Sequence, residues 1–459
     1  MTSSKGDVAV KHIESRVNLR RWATLTRRRP VGGPKDPVDL DWYAPWVASQ
    51  RSKLPISVSV LLAHGRTGAG DDGFQAVWNA VGEYTRTTKD ISIDEIIDHL
   101  GAAGVLGREN DRADTDAKRL LIFSLLGWQS MVYLPELNSH PLGTLAIQHD
   151  VDGPDSGLVF DRYVISYSAD MCDRPLWVLL KCFGNLLPAR PSDRAVNGSN
   201  VAAIEKSKTA ALWTALYPNQ LNAYLLHTLM RVKFRWVDSL ALHLDYDKSS
   251  RTLSLFSFPS ICVAHLRARA SGSVGGGGGG SEAGNKGNAA FEALIGGAVF
   301  AFSSLEVDAA DPRADEDDIA HFLEEVLVSF RLLFGQSAKS RKLFRDVNHQ
   351  NDAPFHQPDT LLARLCSEKC VEVPMLPPDR SIYYAARDFP VLYRRVELLA
   401  DELKGAKPTS IRDLLKDRRD TLQFWTFWLI SVFGGISIFM GLVQIVLQAV
   451  QIAQAAGKI

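Results

Sequence analysis

The sequence predicts a mainly α-helical body with one small β-hairpin, an α+β fold, followed by a single C-terminal transmembrane helix. Three observations carry this. Residues 424–446 form an uncharged apolar run, apolar residues elsewhere recur at helical spacing, and residues 239–258 alternate with a period of two around a polar turn. The chain has 459 residues, enough for a sizeable core. Lys plus Arg and Asp plus Glu both number 52, so no basic excess points to nucleic acid. Five cysteines in such a length exclude a dense disulfide framework.

Residues 1–40 read as a basic, disordered arm. Within residues 1–35, nine Lys or Arg face two acids, a net of +7. The stretch Arg16–Arg29 sets Trp22 and Leu25 among these charges, a composition suited to an anionic lipid surface. A globular body follows over residues 41–267. Helical spacing marks Phe74–Tyr84, Ile93–Leu100, Lys118–Tyr133, Ala202–Leu216 and Gln220–Val232. In the hairpin, Leu240, Leu242, Leu244 and Tyr246 alternate on one face. Asp247-Lys248-Ser249-Ser250 makes the turn, and Thr252–Phe258 returns. Ala241, His243 and Asp245 then fall on the opposite face, which is read as solvated.

Residues 268–290 include six consecutive glycines and read as a flexible loop inserted in one domain. Residues 291–347 continue the body. There Asp311–Asp318 is acidic and precedes an amphipathic helix, Ile319–Phe334, whose dipole explains the acids without a metal. Residues 348–380 are Pro-rich and polar, hence irregular. In the membrane-proximal region 381–420, Val391–Leu403 reads as a helix. Ser410 and Asp413 make a capping-box-like start for a stalk leading to the membrane.

The apolar run, Phe424–Val446, gives about 34 Å of helix against a hydrocarbon core of about 30 Å. Thirteen of its residues are Phe, Ile, Leu or Val, contributing about −4 to −8 kcal/mol to insertion. Trp425 and Trp428 mark an aromatic belt, and residues 447–459 form a short tail. Lys416, Arg418 and Arg419 precede the span and only Lys458 follows it. Because positive flanks stay inside, the body is expected in the cytosol, with reduced thiols. The Asn197-Gly198-Ser199 sequon would then stay unmodified.

One pattern inside this span is a candidate site. Gly434, Ser437, Gly441, Gln444, Gln448 and Gln451 follow at spacings of three and four, a heptad seam of small and amide residues. Small residues let backbones approach in lipid, and amides bond between helices, so the seam predicts a homo-oligomer. An alternative is a polar stripe lining an ion path.

Other patterns fail on their chemistry. Gly68-Ala-Gly-Asp-Asp-Gly73, after a possible strand Ile56–Ala63, has dinucleotide-fingerprint spacing. However, Asp71 and Asp72 would oppose a pyrophosphate, and a Gly/Asp surface loop is the better reading. Asp150–Gly157 has calcium-loop acids with a misplaced glycine and no Glu at the twelfth position. Cys366 and Cys370 lack a second ligand pair for zinc. No catalytic, cofactor or metal residues are therefore assigned, and enzyme activity is not expected.

Leu126-Gly127-Trp128, Trp236-Val237-Asp238-Ser239-Leu240, Phe258-Pro259-Ser260 and Asp417-Arg418-Arg419-Asp420 before Phe424-Trp425 resemble a large group of uncharacterised fungal proteins. Members of that group end in a single membrane helix, so the resemblance implies topology and no activity. A stalk running into a C-terminal span is also similar to CorA-type magnesium transporters. Those have two spans and a Gly-Met-Asn, which this sequence lacks. The expected function is a membrane-anchored interaction or scaffold protein; the alternatives are a subunit of a CorA-like ion pathway and an enzyme with an unrecognised site.

Overall fold

The structure is a computed structural model that describes residues 39–64, 71–107, 112–138, 140–150, 162–190, 215–273, 295–305, 313–348, 359–373, 375–406, 421–455 and 457. The fold is mainly α with short strands. In chain order the helices are α1 (Tyr43–Arg51), α2 (Ile56–His64), α3 (Asp71–Thr87), α4 (Ile93–Ala102), α5 (Arg112–Ser130) and α6 (Leu176–Cys182). They continue with α7 (Ala223–Leu229), α8 (Pro259–Ser273), α9 (Glu316–Phe330), α10 (Ala338–Asn348) and α11 (Thr360–Ser367). The last are α12 (Ala385–Asp388), α13 (Tyr393–Gly405) and α14 (Thr421–Ala455).

The strands form three small sheets. β1 (Thr144–Asp150) pairs antiparallel with β2 (Arg162–Ser168), and β3 (Ala215–Leu216) with β7 (Tyr383–Tyr384). In the third sheet, β6 (Thr252–Phe256) lies between β4 (Lys233–Val237) and β5 (Tyr246–Asp247), parallel to β4 and antiparallel to β5.

The expected hairpin exists as β5–β6, but its first strand is shorter than the alternation implies. Leu240–Leu242 turns as a 3₁₀ helix instead, and Leu244 takes a left-handed φ of 59°. These two departures break the period of two. His243, expected on the solvated face, is therefore fully buried.

Several helices follow their predicted faces. In α4, Ser92 accepts from Glu95 N–H while the Glu95 carboxylate accepts from Ser92 N–H, a reciprocal cap that satisfies two orphan donors. Asp315 and Asp318 make the same box at the start of α9. Ion pairs Lys89–Glu316, Arg269–Asp317 and Arg190–Asp318 engage the acids of the first turn, so helix start and surface pairing account for those among the described residues. α9 carries Phe322, Leu323, Val326, Leu327 and Phe330 into the core. It then widens into a π turn, Arg331–Gly335.

Other elements differ from expectation. Ile56–Ala63 is helical, with Val58 and Leu62 one turn apart and buried. Gln220–Val232 contracts to α7, and of the expected helix Ala202–Leu216 only the last two residues, strand β3, are described, residues 202–214 lying outside the described residues. Helix α8 runs to Ser273, into the expected loop, and α11 interrupts the expected irregular segment at its Asp359 cap. α14 runs past Val446 to Ala455. The basic arm at 16–29, the six glycines and the expected stalk start lie outside the described residues.

The core closes around α1. Trp42 stacks on Phe258 at 3.9 Å and donates its indole N–H to Ser260 Oγ at 2.9 Å. Tyr43 donates to the Trp128 carbonyl at 2.8 Å, and Trp46 Nε1 donates to Asp238 Oδ2 at 2.9 Å. The segments Leu126–Trp128, Trp236–Leu240 and Phe258–Ser260 thus meet on one helix, so they frame the core. Gly127 belongs to the same frame. A Cβ there would sit 2.7 Å from Tyr133 Cε2 and 3.0 Å from its carbonyl oxygen, so only glycine lets Tyr133 pack across α5.

Candidate functional site

Helix α14 bears all six seam residues. It has no Asp, Glu, Lys or Arg along 35 residues, and Trp425–Ala455 is long and apolar enough to cross a membrane. At 1.5 Å per residue α14 measures about 52 Å, so it exceeds a core of about 30 Å and extends beyond one interface. A straight α-helix advances 100° per residue. Gly434, Ser437, Gly441, Gln444, Gln448 and Gln451 then fall in a sector about 100° wide, drifting about 20° per heptad.

Among the described residues no other element packs against Gly434 or Gly441 in this sector. Cβ atoms built at Gly434 and Gly441 meet no atom within 4 Å, so packing in the chain does not explain the glycines. Ser437 donates its hydroxyl to the Phe433 carbonyl at 2.9 Å, so it offers smallness rather than a free donor. Ile438, Phe439 and Ile445 are exposed around the stripe, consistent with a lipid-facing surface.

The body holds a buried polar network that sequence reasoning missed. His243 Nδ1 accepts from Phe256 N–H at 3.2 Å, which leaves Nε2 as the N–H that donates to Ser329 Oγ at 2.7 Å. Ser329 donates onward to the Val326 carbonyl at 2.7 Å. The imidazole therefore gives a hydrogen bond to the serine and takes none from it, the reverse of a nucleophile–base pair. Burial and the nearby Arg395 guanidinium push His243 down to about 3, so it stays neutral at ordinary pH. Arg395 donates to the Ala241 carbonyl at 2.8 Å, pinning the 3₁₀ turn.

Glu325 is 2% exposed, and its two carboxylate oxygens accept from Val391 N–H at 2.8 Å and Leu392 N–H at 2.6 Å. It caps α13, where no side chain of α13 itself does so. Burial raises its pKa to about 8 against the opposing pull of those two donors.

Arg331, 2% exposed, spends all five N–H groups. Nε and Nη2 grip Asp379 at 3.1 and 2.6 Å, Nη1 donates to the Leu365 and Glu368 carbonyls, and Nη2 to that of Lys369. Gly335 makes the room: a Cβ there would collide with the guanidinium and lie 2.7 Å from the Leu365 oxygen.

Beside this network a cleft of about 480 Å³ opens between α9 and residues 375–390. His321, Glu324, Arg380, Tyr383, Arg387 and Asp388 are among its lining. Asp388 is already taken by Arg380, by Arg387 at 3.0 Å and by Tyr384 N–H at 2.7 Å. His321 Nδ1 donates to the Asp317 carbonyl at 2.7 Å. Burial raises the Glu324 carboxyl above its ordinary range. Among the described residues the lining includes no Cys, Ser, Thr or Lys, so none of these supplies a nucleophile to the cleft.

Elsewhere, Asp71–Gly73 opens α3 rather than a surface loop, and α2 stands where a dinucleotide fold needs a strand. Asp150 ends β1, and residues 151–157 lie outside the described residues. Cys366 is buried in α11, whereas Cys370 is exposed beyond its end, so the two do not share a helix face. Among the described residues no three His, Cys, Asp or Glu side chains converge as metal ligands. No family model, curated protein or solved structure matches this chain.

Proposed function

We propose that the chain is a single-pass membrane protein whose body faces the cytosol, serves as an interaction or scaffold module, and self-associates through the α14 seam. The observation that carries this reading is α14 itself: a long, uncharged, apolar helix that buries none of its 18-residue core in the body and sets Gly434, Ser437, Gly441, Gln444, Gln448 and Gln451 along one stripe. The excess of Lys416, Arg418 and Arg419 over Lys458 supports the orientation. A tag at residue 1 should be digested by protease added to permeabilised cells with intact organelles, and a C-terminal tag should be protected. The reverse pattern would overturn the orientation, and extraction of the full chain by carbonate would overturn the anchor.

The seam makes a separate prediction. Lipid supplies little hydrophobic force between helices, so association rests on close packing and on amide bonds averaging about 0.6 kcal/mol each. Gly441→Ile puts a branched side chain where two backbones would meet and should abolish self-association of the full chain in a membrane two-hybrid assay. Val432→Ile, off the stripe, should leave it intact. Equal signals from the two variants would sink the seam.

A further inference from the structure

Several cations of the described body sit in ion pairs. Lys118 meets Asp114, Arg119 meets Asp94, Arg190 meets Asp318, Arg269 meets Asp317, and Lys404 meets Asp401. Lys339, Lys342 and Arg345 of α10 have no ion-pair partner among the described residues, and neither have three cations grouped at one end of the body. Arg231, Lys233 and Arg251 are exposed, and among the described residues none has an ion-pair partner within 4.0 Å. They are close together, because Lys233 N–H donates to the Arg251 carbonyl at 2.9 Å and Lys233 pairs with Thr252 in the sheet.

Two further observations single out this end. Arg231 and Arg251 hold left-handed φ values of 58° and 55°, where glycine is the residue of least strain. This end is also where the described body leaves for the membrane segment. Glu402, in the last turn of α13, bonds Lys248 of the β5–β6 turn at 2.6 Å, and Ala406 is the body's last described residue. The Tyr246 phenol, beside that turn, feels the charges of both Glu402 and Arg251. The acids at this end are engaged: Glu402 with Lys248, Asp401 with Lys404, and Asp247 with Ser249 and Ser250.

We propose that the end of the body carrying Arg231, Lys233 and Arg251 lies against anionic lipid headgroups on the membrane that α14 enters. This rests on the membrane-anchor reading. The occupant fits in charge and place: a negative surface strengthens binding roughly five-fold for each basic side chain it meets, and fourteen residues, 407–420, link this end to α14. The contact holds the body down on the bilayer, with the opposite end left to partners.

The test uses the full chain in nanodiscs of phosphatidylcholine, with or without phosphatidylserine, and maps lysine acetylation by mass spectrometry. Acetylation of Lys233 should slow several-fold when phosphatidylserine is present, and high salt should reverse the effect. Lys53, on another face, should not change. The double variant Arg231→Gly, Arg251→Gly removes two charges at positions glycine prefers, so its melting temperature should hold or rise while the protection at Lys233 is lost. Equal acetylation of Lys233 in both discs would overturn the proposal and favour an acidic protein partner for this end. Protection confined to Lys339 and Lys342 of α10 would overturn it too. A chain that does not co-elute with either disc would instead bring down the anchor, and this contact with it.

Discussion

Replacing Arg331 by methionine should remove on the order of 3–5 kcal/mol of folding stability, a large share of the 5–15 kcal/mol typical of a domain. Methionine fills part of the volume but donates nothing. The Leu365, Glu368 and Lys369 carbonyls would lose their donors, and Asp379 its bidentate partner. Arg331→Lys should not rescue the loss, since one ammonium cannot reach acceptors that a planar fork meets together. Asp379→Asn should cost far less, about 1 kcal/mol, because the three carbonyl bonds survive. Chemical denaturation of the detergent-solubilised chain, followed by tryptophan fluorescence, separates these outcomes. Equal losses for Arg331→Met and Asp379→Asn would mean that the ion pair, and not the carbonyl clamp, holds this region.

Glu325 should make stability fall as the solution turns mildly alkaline. Its carboxyl ionises near 4.5 in an unfolded chain and near 8 when folded. Between those values the folded state holds more protons, so stability declines as pH rises through that window. His243 works in the opposite direction: its ordinary value of 6.5 drops to about 3, so its contribution is present above 6.5 and is lost as pH falls. His265, lowered to about 4 by burial, behaves likewise, whereas Asp359, raised to about 6, loses stability as pH rises from 3.8. Above 6.5 only Glu325 among these still titrates, and at about 1.4 kcal/mol per unit it should cost roughly 2 kcal/mol between pH 6.5 and 8. Glu325→Gln should abolish that slope. At mildly acidic pH it should lower stability by roughly 1–3 kcal/mol, because one amide oxygen cannot accept both the Val391 and Leu392 donors, and the gap from the parent should close as pH rises. An unchanged slope in the variant would assign the alkaline loss to another group.

The parts legible in the sequence are those that repeat. α3, α4 and α9 each keep an apolar face over several turns, and the Asp315 and Ser92 caps lie within three residues of the carboxylates they answer. α14 declares itself by composition alone. The misreadings have local causes. Ile56–His64 alternates β-branched residues with serine, as a strand does, yet packing of Val58 and Leu62 selects the helix. The β1–β2 pair went unread because eleven residues, Val151–Asp161, separate its strands, beyond the span of a tight turn. His243 turned inward because one 3₁₀ turn and one left-handed leucine reversed its face. The Arg331–Asp379 and Glu325–Val391 contacts join residues 48 and 66 apart, and no periodicity reports such a meeting.

Helix α1 has a temporal consequence. Trp42, Tyr43 and Trp46 find their bonds 218, 85 and 192 residues downstream. A ribosome adding about 5–20 residues per second needs roughly 10–40 s to deliver Ser260 after Trp42. During that interval three large aromatics emerge without the surfaces that bury them. The first described helix thus emerges well before the segments that bury it, and its aromatic side chains must wait for them.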